Sequence, residues 1–203
     1  MALQPSLSPF VIGPYAAPHT LEFFYDIVCP FSKKSYANIR TVLEPQFINE
    51  KYRDKLKIII RLQPQPWHVA SHFCHEAVLA VARVAPDQLL NYLDVLYPVN
   101  ETFYDIPAST LTPVQIREKL ADIAEPVIGS ERVAAVKELL KHKSTPNGGV
   151  AVTEELKYSI KVSRQNSIHT SPTVLWDGLI QEQVSSSWGE KEWTDFFNAK
   201  VSA

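Results

Sequence analysis

Cysteine, glycine and methionine are scarce in this chain: two, six and one among 203 residues. The cysteine count excludes most. Small secreted domains stapled by disulfides carry many paired cysteines, and Cys29 with Cys74 makes no such framework, so a reducing, cytoplasmic setting is the expectation. Excess charge of one sign is also missing, since Lys+Arg 20 against Asp+Glu 22 leaves a net −2. That balance offers no electrostatic footprint for nucleic acid. Long apolar runs are absent too, the longest being pieces such as "KIIIRL", far short of the roughly 20 residues a membrane span needs. The opening stretch "MALQPSLSPFVIGPYAAPHT" lacks the basic and apolar regions of a signal peptide and repeats proline every few residues. It reads as a flexible or draped arm. No internal repeat or low-complexity tract is visible.

What is present suits a compact fold, with 45% hydrophobic and 21% charged residues enough to bury a sizeable core. "TLEFFYDIV" is short, aromatic and β-rich, residues 30–52 read as a helix, and "KLKIIIRLQ" (55–63) reads as a second buried strand. This is a βαβ unit, whose strands should be parallel and whose crossover right-handed. After the breaking "QPQP", residues 67–143 show helical signals only, for three to five helices. Thr112-Pro113 gives one helix start and Ser130-Glu131 another. "STPNGGV" is a loop, and a helix follows over about 151–166. Sheet signals return in "SPTVLWDGLIQEQV", where Thr173–Trp176 and Leu179–Val184 flank the hairpin pair Asp177-Gly178. Ser187 to Glu190 has the Ser-x-x-Glu form of a capping box, opening a last helix with Trp193, Phe196 and Phe197 inward.

Cys29 sits where the first strand meets its helix, in "FFYDIVCPFS". A strand, Cys-Pro-x-x at a helix start, a helical insertion, then "HTSPTVLWDG" and a terminal helix resemble the DsbA-like branch of the thioredoxin fold over residues 20–200. The resemblance implies an α/β fold with an arm at 1–18, a thioredoxin-like domain of 19–66 and 146–203, and an all-helical insertion of 67–145. It places Cys29 on the nucleophilic cysteine, Ser32 on the resolving cysteine and Pro172 on the cis-proline facing the site. Ser32 is a departure. A dithiol enzyme cleaves its mixed disulfide from within, and with serine that route is closed.

Position alone can activate Cys29, because unpaired N–H groups and the positive dipole end of a helix favour thiolate over thiol. Pro30 costs no hydrogen bond in the first turn. Lys33 and Lys34 are expected to add positive potential, and the Ser32 hydroxyl to donate to the sulfur. The bland alternative is a small buried hydrophobe. Cys74 has the opposite balance: with Ala70, Ala77, Val78 and Val81 it falls on an apolar helix face, so it should pack inside. His68, His72 and His75 fall within an arc of about 60° on another face at about 100° per residue. That face lacks a third ligand at zinc spacing and reads as polar, with His68, and His169 beside Pro172, leaning over the cleft.

Three function classes fit. The first is a thiol-disulfide oxidoreductase working through Cys29 alone, with glutathione as co-substrate and no bound cofactor or metal; Ser32 assists, while Pro30, Phe31, His68, Ser171 and Pro172 contact the substrate. The backbone of Ser171 is expected to receive glutathione or an extended substrate as an added strand. The second follows a further likeness of "FFYDIVCPFS" to kappa-class glutathione transferases and 2-hydroxychromene-2-carboxylate isomerases, in which Ser32 is the candidate group activating bound glutathione. The third is a redox-inactive peptide-binding module. Partners are therefore thiols, disulfides or glutathione, with neither nucleic acid nor membrane.

Overall fold

The computed structural model describes residues 3–201. In chain order the first half runs β1 (Val11–Ile12), β2 (His19–Tyr25), α1 (Pro30–Asn38), β3 (Leu56–Leu62), α2 (Ser71–Val84), α3 (Leu89–Leu96) and α4 (Asp105–Ala108). The second runs α5 (Pro113–Ile128), α6 (Ser130–Leu139), α7 (Thr153–Gln165), β4 (Thr173–Trp176), β5 (Leu179–Ile180) and α8 (Glu190–Lys200). The strands form one sheet in the order β1-β3-β2-β4-β5. Only β2 and β3 pair in parallel, with Leu21 opposite Ile58 and Tyr25 opposite Leu62. This is the βαβ unit expected.

α1 does not stop at Asn38 but continues over Ile39–Lys51 with the wider π-helical spacing. Pro45 lies inside that stretch; it has no N–H to donate and crowds the carbonyl one turn back, which ordinary α spacing does not tolerate. Leu21, Phe23 and Tyr25 point to the side of α1 and α8, where Phe23 packs edge-on to Trp193 and the Tyr25 hydroxyl meets Ser35 Oγ at 2.7 Å. The inward Trp193, Phe196 and Phe197 are all buried. Asn38 clamps this layer by accepting from Trp193 Nε1 and donating to the Trp188 carbonyl, both at 2.7 Å. On the opposite face Glu22 and Arg61 pair at 2.6 Å inside the sheet, each keeping one buried polar atom without a partner among the described residues.

Several local expectations shift. The N-terminal segment is docked: Phe10 is buried and β1 pairs antiparallel with β3. The second strand of the hairpin is only Leu179–Ile180, not Leu179–Val184, although Asp177 and Gly178 take the positive φ values of 47° and 87° that a two-residue turn requires. The last helix starts two residues late, with Gly189 N–H donating to Glu192 Oε2 at 2.8 Å, while Ser187 Oγ accepts from Lys34. Thr112 does cap α5, reciprocally with Gln115.

The helical insertion is built on α2, which is buried from Phe73 to Ala82 without interruption. Such a helix is covered all round, so the expected polar face holds only for exposed His72. Cys74 is fully buried, and burial pushes its thiol well up. Burial likewise raises the phenols of Tyr25, Tyr92 and Tyr97. The folded chain holds these protons more tightly than the unfolded one, so stability is full below the ordinary phenol range near about pH 10 and falls as pH rises through it. Melting followed at about pH 8 and about pH 11 should show that loss. Tyr92 donates to the Leu120 carbonyl at 3.0 Å whereas the Tyr97 hydroxyl has no partner among the described residues. Tyr92→Phe should therefore cost about 1 kcal/mol, and Tyr97→Phe should cost nothing or stabilise by about 1 kcal/mol, in urea titrations.

Candidate active site

The apolar run of β2 ends at Asp26, whose carbonyl accepts the Cys29 N–H at 3.1 Å and closes a tight turn. Cys29 is the N-cap residue of α1, with extended backbone (φ −71°, ψ 126°), and Pro30 occupies the first helical position. The Lys33 N–H closes the first helical turn onto the Cys29 carbonyl at 3.0 Å. The sulfur makes no capping bond; it turns instead across to the Ser171 carbonyl at 3.4 Å. The Ser171–Pro172 bond is cis. Cys29 is 5% exposed, while Pro30 and Phe31 beside it are open to solvent.

Beneath this turn lies a carboxylate with no exposure at all. Asp26 Oδ1 accepts from Val28 N–H at 3.2 Å and Ser71 Oγ at 2.7 Å. Oδ2 accepts from Gln65 N–H at 3.3 Å and from His68 Nδ1 at 2.5 Å. His75, also sealed, brings Nδ1 to 3.9 Å from Oδ1 while its two nitrogens face the carbonyls of Ser71 and Tyr25 at 2.8 and 3.2 Å. Four donors on one carboxylate recover much of what burial costs it. Asp26 thus ties the active turn, the loop after β3 and the start of α2 to one point.

His68 separates two openings. One, of about 440 Å³, is walled by Val28, Pro30, His68, Tyr104, Ile106 and Pro107. The other, of about 360 Å³, lies between the "QPQPW" loop and α7 and reaches His169. Ile106 is 86% exposed and Trp67 55% exposed, so the rim is apolar. Tyr104 stands on the wall of the first opening, where partial burial first, then the charges of Glu101 and Cys29, push its phenol up. The insertion also grips the turn directly, with Asn100 Nδ2 donating to the Ile27 carbonyl at 2.9 Å.

The structure sets the Cys29 sulfur against Ser171, which precedes the cis-proline Pro172, and puts Pro30 and His68 on the wall of one opening, with Phe31 exposed next to Pro30 in the chain. Two electrostatic expectations fail. Lys33 reaches the Pro98 carbonyl and Glu101, and Lys34 reaches Ser187, so both ammonium groups are engaged in surface contacts and neither bonds the sulfur. Ser32 is buried and its Oγ accepts the Asp26 N–H at 3.3 Å rather than binding Cys29. The histidine face is also revised, because α2 begins only at Ser71 and His68 stands in the preceding turn. Among the described residues no group of three or more His, Cys, Asp or Glu is placed to hold a metal ion. Asp26, Ser71 and Asn100 were not singled out from sequence; a lone carboxylate closing an apolar strand was the available signal for the first.

No protein-family model and no curated protein matches the chain by sequence. Solved structures do match by fold. A candidate protein-disulfide isomerase from Pseudomonas syringae superposes with a TM-score of 0.73 at 24% identity, over 94% of this chain and 98% of that one. Oxidised BdbD from Bacillus subtilis gives 0.67 at 16% identity, over 94% and 91%. DsbA from Chlamydia trachomatis gives 0.63 at 15% identity, over 95% and 93%. The chain therefore has the thioredoxin fold in its DsbA-like form, with five helices from Ser71 to Leu139 inserted between its second parallel strand and the helix that leads back to the sheet.

Proposed function

We propose that the protein is a thiol-disulfide oxidoreductase that works through Cys29 alone and uses glutathione as co-substrate. The observation that carries this reading is the position of the Cys29 sulfur, at a helix N-cap and 3.4 Å from the Ser171 carbonyl, with serine three residues on, where the family resemblance puts the resolving thiol. Cys74 offers no substitute, since it is fully buried and its thiol is pushed well up. In the proposed cycle the Cys29 thiolate attacks the glutathione sulfur of a mixed disulfide. That S–S bond breaks and the substrate leaves as a thiol after taking a proton. A second glutathione, as thiolate, attacks the sulfur now bonded to Cys29; oxidised glutathione departs and the thiolate returns. Such a cycle needs a pool of reduced glutathione, so we place the protein in a reducing compartment.

The transferase or isomerase reading requires the Ser32 hydroxyl to hold a bound thiol. The burial of Ser32 and its bond with the Asp26 N–H weigh against that role.

Incubation with oxidised glutathione should yield one adduct by mass spectrometry, on Cys29. Cys29→Ser should abolish deglutathionylation of a model peptide, whereas Ser32→Ala should slow it no more than about tenfold, the worth of one hydrogen bond. The opposite hierarchy, with chlorodinitrobenzene conjugated by Cys29→Ser but not by Ser32→Ala, would install the transferase reading. No adduct and no activity would leave a peptide-binding module.

A separate test concerns the architecture of the turn. An N-cap side chain and the residue three positions on face each other across the first helical turn, so Ser32→Cys should form a disulfide with Cys29 and gain insulin-reducing activity. Free thiols counted by alkylation before and after reduction would show it, and two free thiols at positions 29 and 32 after oxidation would refute the arrangement.

A further inference from the structure

A site with one cysteine must take its resolving thiol from solution, and an ordinary thiol, with a pKa near about 8.5, arrives at neutral pH mostly protonated. Some group must remove that proton, and another must supply one to the thiolate that leaves. Resting on the monothiol reading above, we propose that His68 does both, as general base for the incoming thiol and general acid for the leaving one, with Asp26 as its positioning residue.

The geometry assigns the roles atom by atom. A carboxylate only accepts, so the 2.5 Å contact with Asp26 Oδ2 makes Nδ1 of His68 the N–H. Nε2 is then the atom free to take up a proton, and it has no hydrogen-bond partner among the described residues. The side chain is 21% exposed and borders the opening walled by Val28 and Pro30, the two neighbours of Cys29 in the chain. Cys29 lies between those two wall residues, so a thiol entering there meets the imidazole beside the turn that carries the sulfur.

His75 supplies the contrast. It lies beside the same carboxylate, yet it is sealed and both its nitrogens face backbone carbonyls. One imidazole is built into the structure and the other is left open on the cleft. Asp26 cannot swing away, because Val28, Gln65 and Ser71 hold it independently of His68. The ring is thereby kept in one tautomer and one orientation, which is what a proton-transferring imidazole needs.

The step balances without any further reactant. In the first half-reaction Nε2 takes the proton of the Cys29 thiol as it ionises; the glutathione–substrate disulfide breaks as the Cys29–glutathione disulfide forms, and that same proton passes from Nε2 to the departing substrate thiolate. In the second, Nε2 takes the proton of glutathione; the resulting thiolate forms the S–S bond of oxidised glutathione, and the electron pair of the broken bond returns to Cys29.

The test is single-turnover resolution of Cys29–glutathione adducts by two thiols, glutathione and a nitro-substituted aromatic thiol that is already ionised at neutral pH. His68→Gln should slow resolution by glutathione about 100-fold and leave the aromatic thiol within about twofold of wild type. His68→Ala should behave alike and recover with glutathione when free imidazole is added, a rescue that a collapsed site would not show. Asp26→Asn, which disturbs the tautomer, should also lose rate selectively with glutathione. Equal slowing of both thiols, or of neither, in variants whose Cys29 still accepts the adduct would overturn the role of His68 while leaving monothiol exchange intact. If wild-type Cys29 takes no adduct at all, both readings fall.

Discussion

A carboxylate stripped of water has to be satisfied from every side or it unfolds what surrounds it, and Asp26 is such a group. It closes the central strand at the point where the chain turns into Cys29. Its own N–H goes to Ser32, its carbonyl to Cys29, and its two oxygens take donors from the active turn, from the loop after β3 and from the head of α2. The position of the sulfur is therefore not a local matter of strand and helix. It follows from satisfying one buried anion with groups far apart in sequence.

The same constraint explains why the helical insertion is part of the site rather than a lid upon it. Ser71 belongs to α2 and binds Asp26; Asn100 and the Pro98 carbonyl, further along, hold Ile27 and Lys33. Tyr104 and Ile106 complete the wall opposite Pro30. An insertion tied at these points cannot swing freely. The wall it supplies, Tyr104 and Ile106 among it, is thereby held in place beside Pro30.

What local rules govern was legible in the sequence. Short β-rich apolar runs gave away the two parallel strands, Pro30 the helix start and Asp177-Gly178 the hairpin, while the family resemblance, not a local rule, placed Ser171-Pro172 opposite the cysteine. Cys74 was read as interior because its neighbours at helical spacing are apolar. His75 was misplaced by the same reasoning, since its polarity argued for solvent while the structure seals it among carbonyls and Asp26. Lys33 and Lys34 were assigned to the sulfur because they adjoin it in the chain, yet their long stems carry the charge to Glu101 and Ser187. Glu101, Ser187 and the Tyr25 carbonyl lie 68, 153 and 50 residues from Lys33, Lys34 and His75, and periodicity carries no information about such pairs.

The two cysteines show how far environment outweighs residue type. Cys74 lies in the body of α2 where burial first, and the nearby charge of Asp26 second, push its thiol up and keep it inert. Cys29 is nearly as hidden by area, yet its sulfur stands at the N-terminal end of a helix and against the Ser171 carbonyl that precedes the cis-proline. Burial alone would rank them together; what separates them is whether a second sulfur can approach. Beside Cys29 an opening is walled by Val28, Pro30 and His68, whose ring the buried carboxylate holds in place. At Cys74 no opening leads in, and a thiol that nothing can reach has only a packing role.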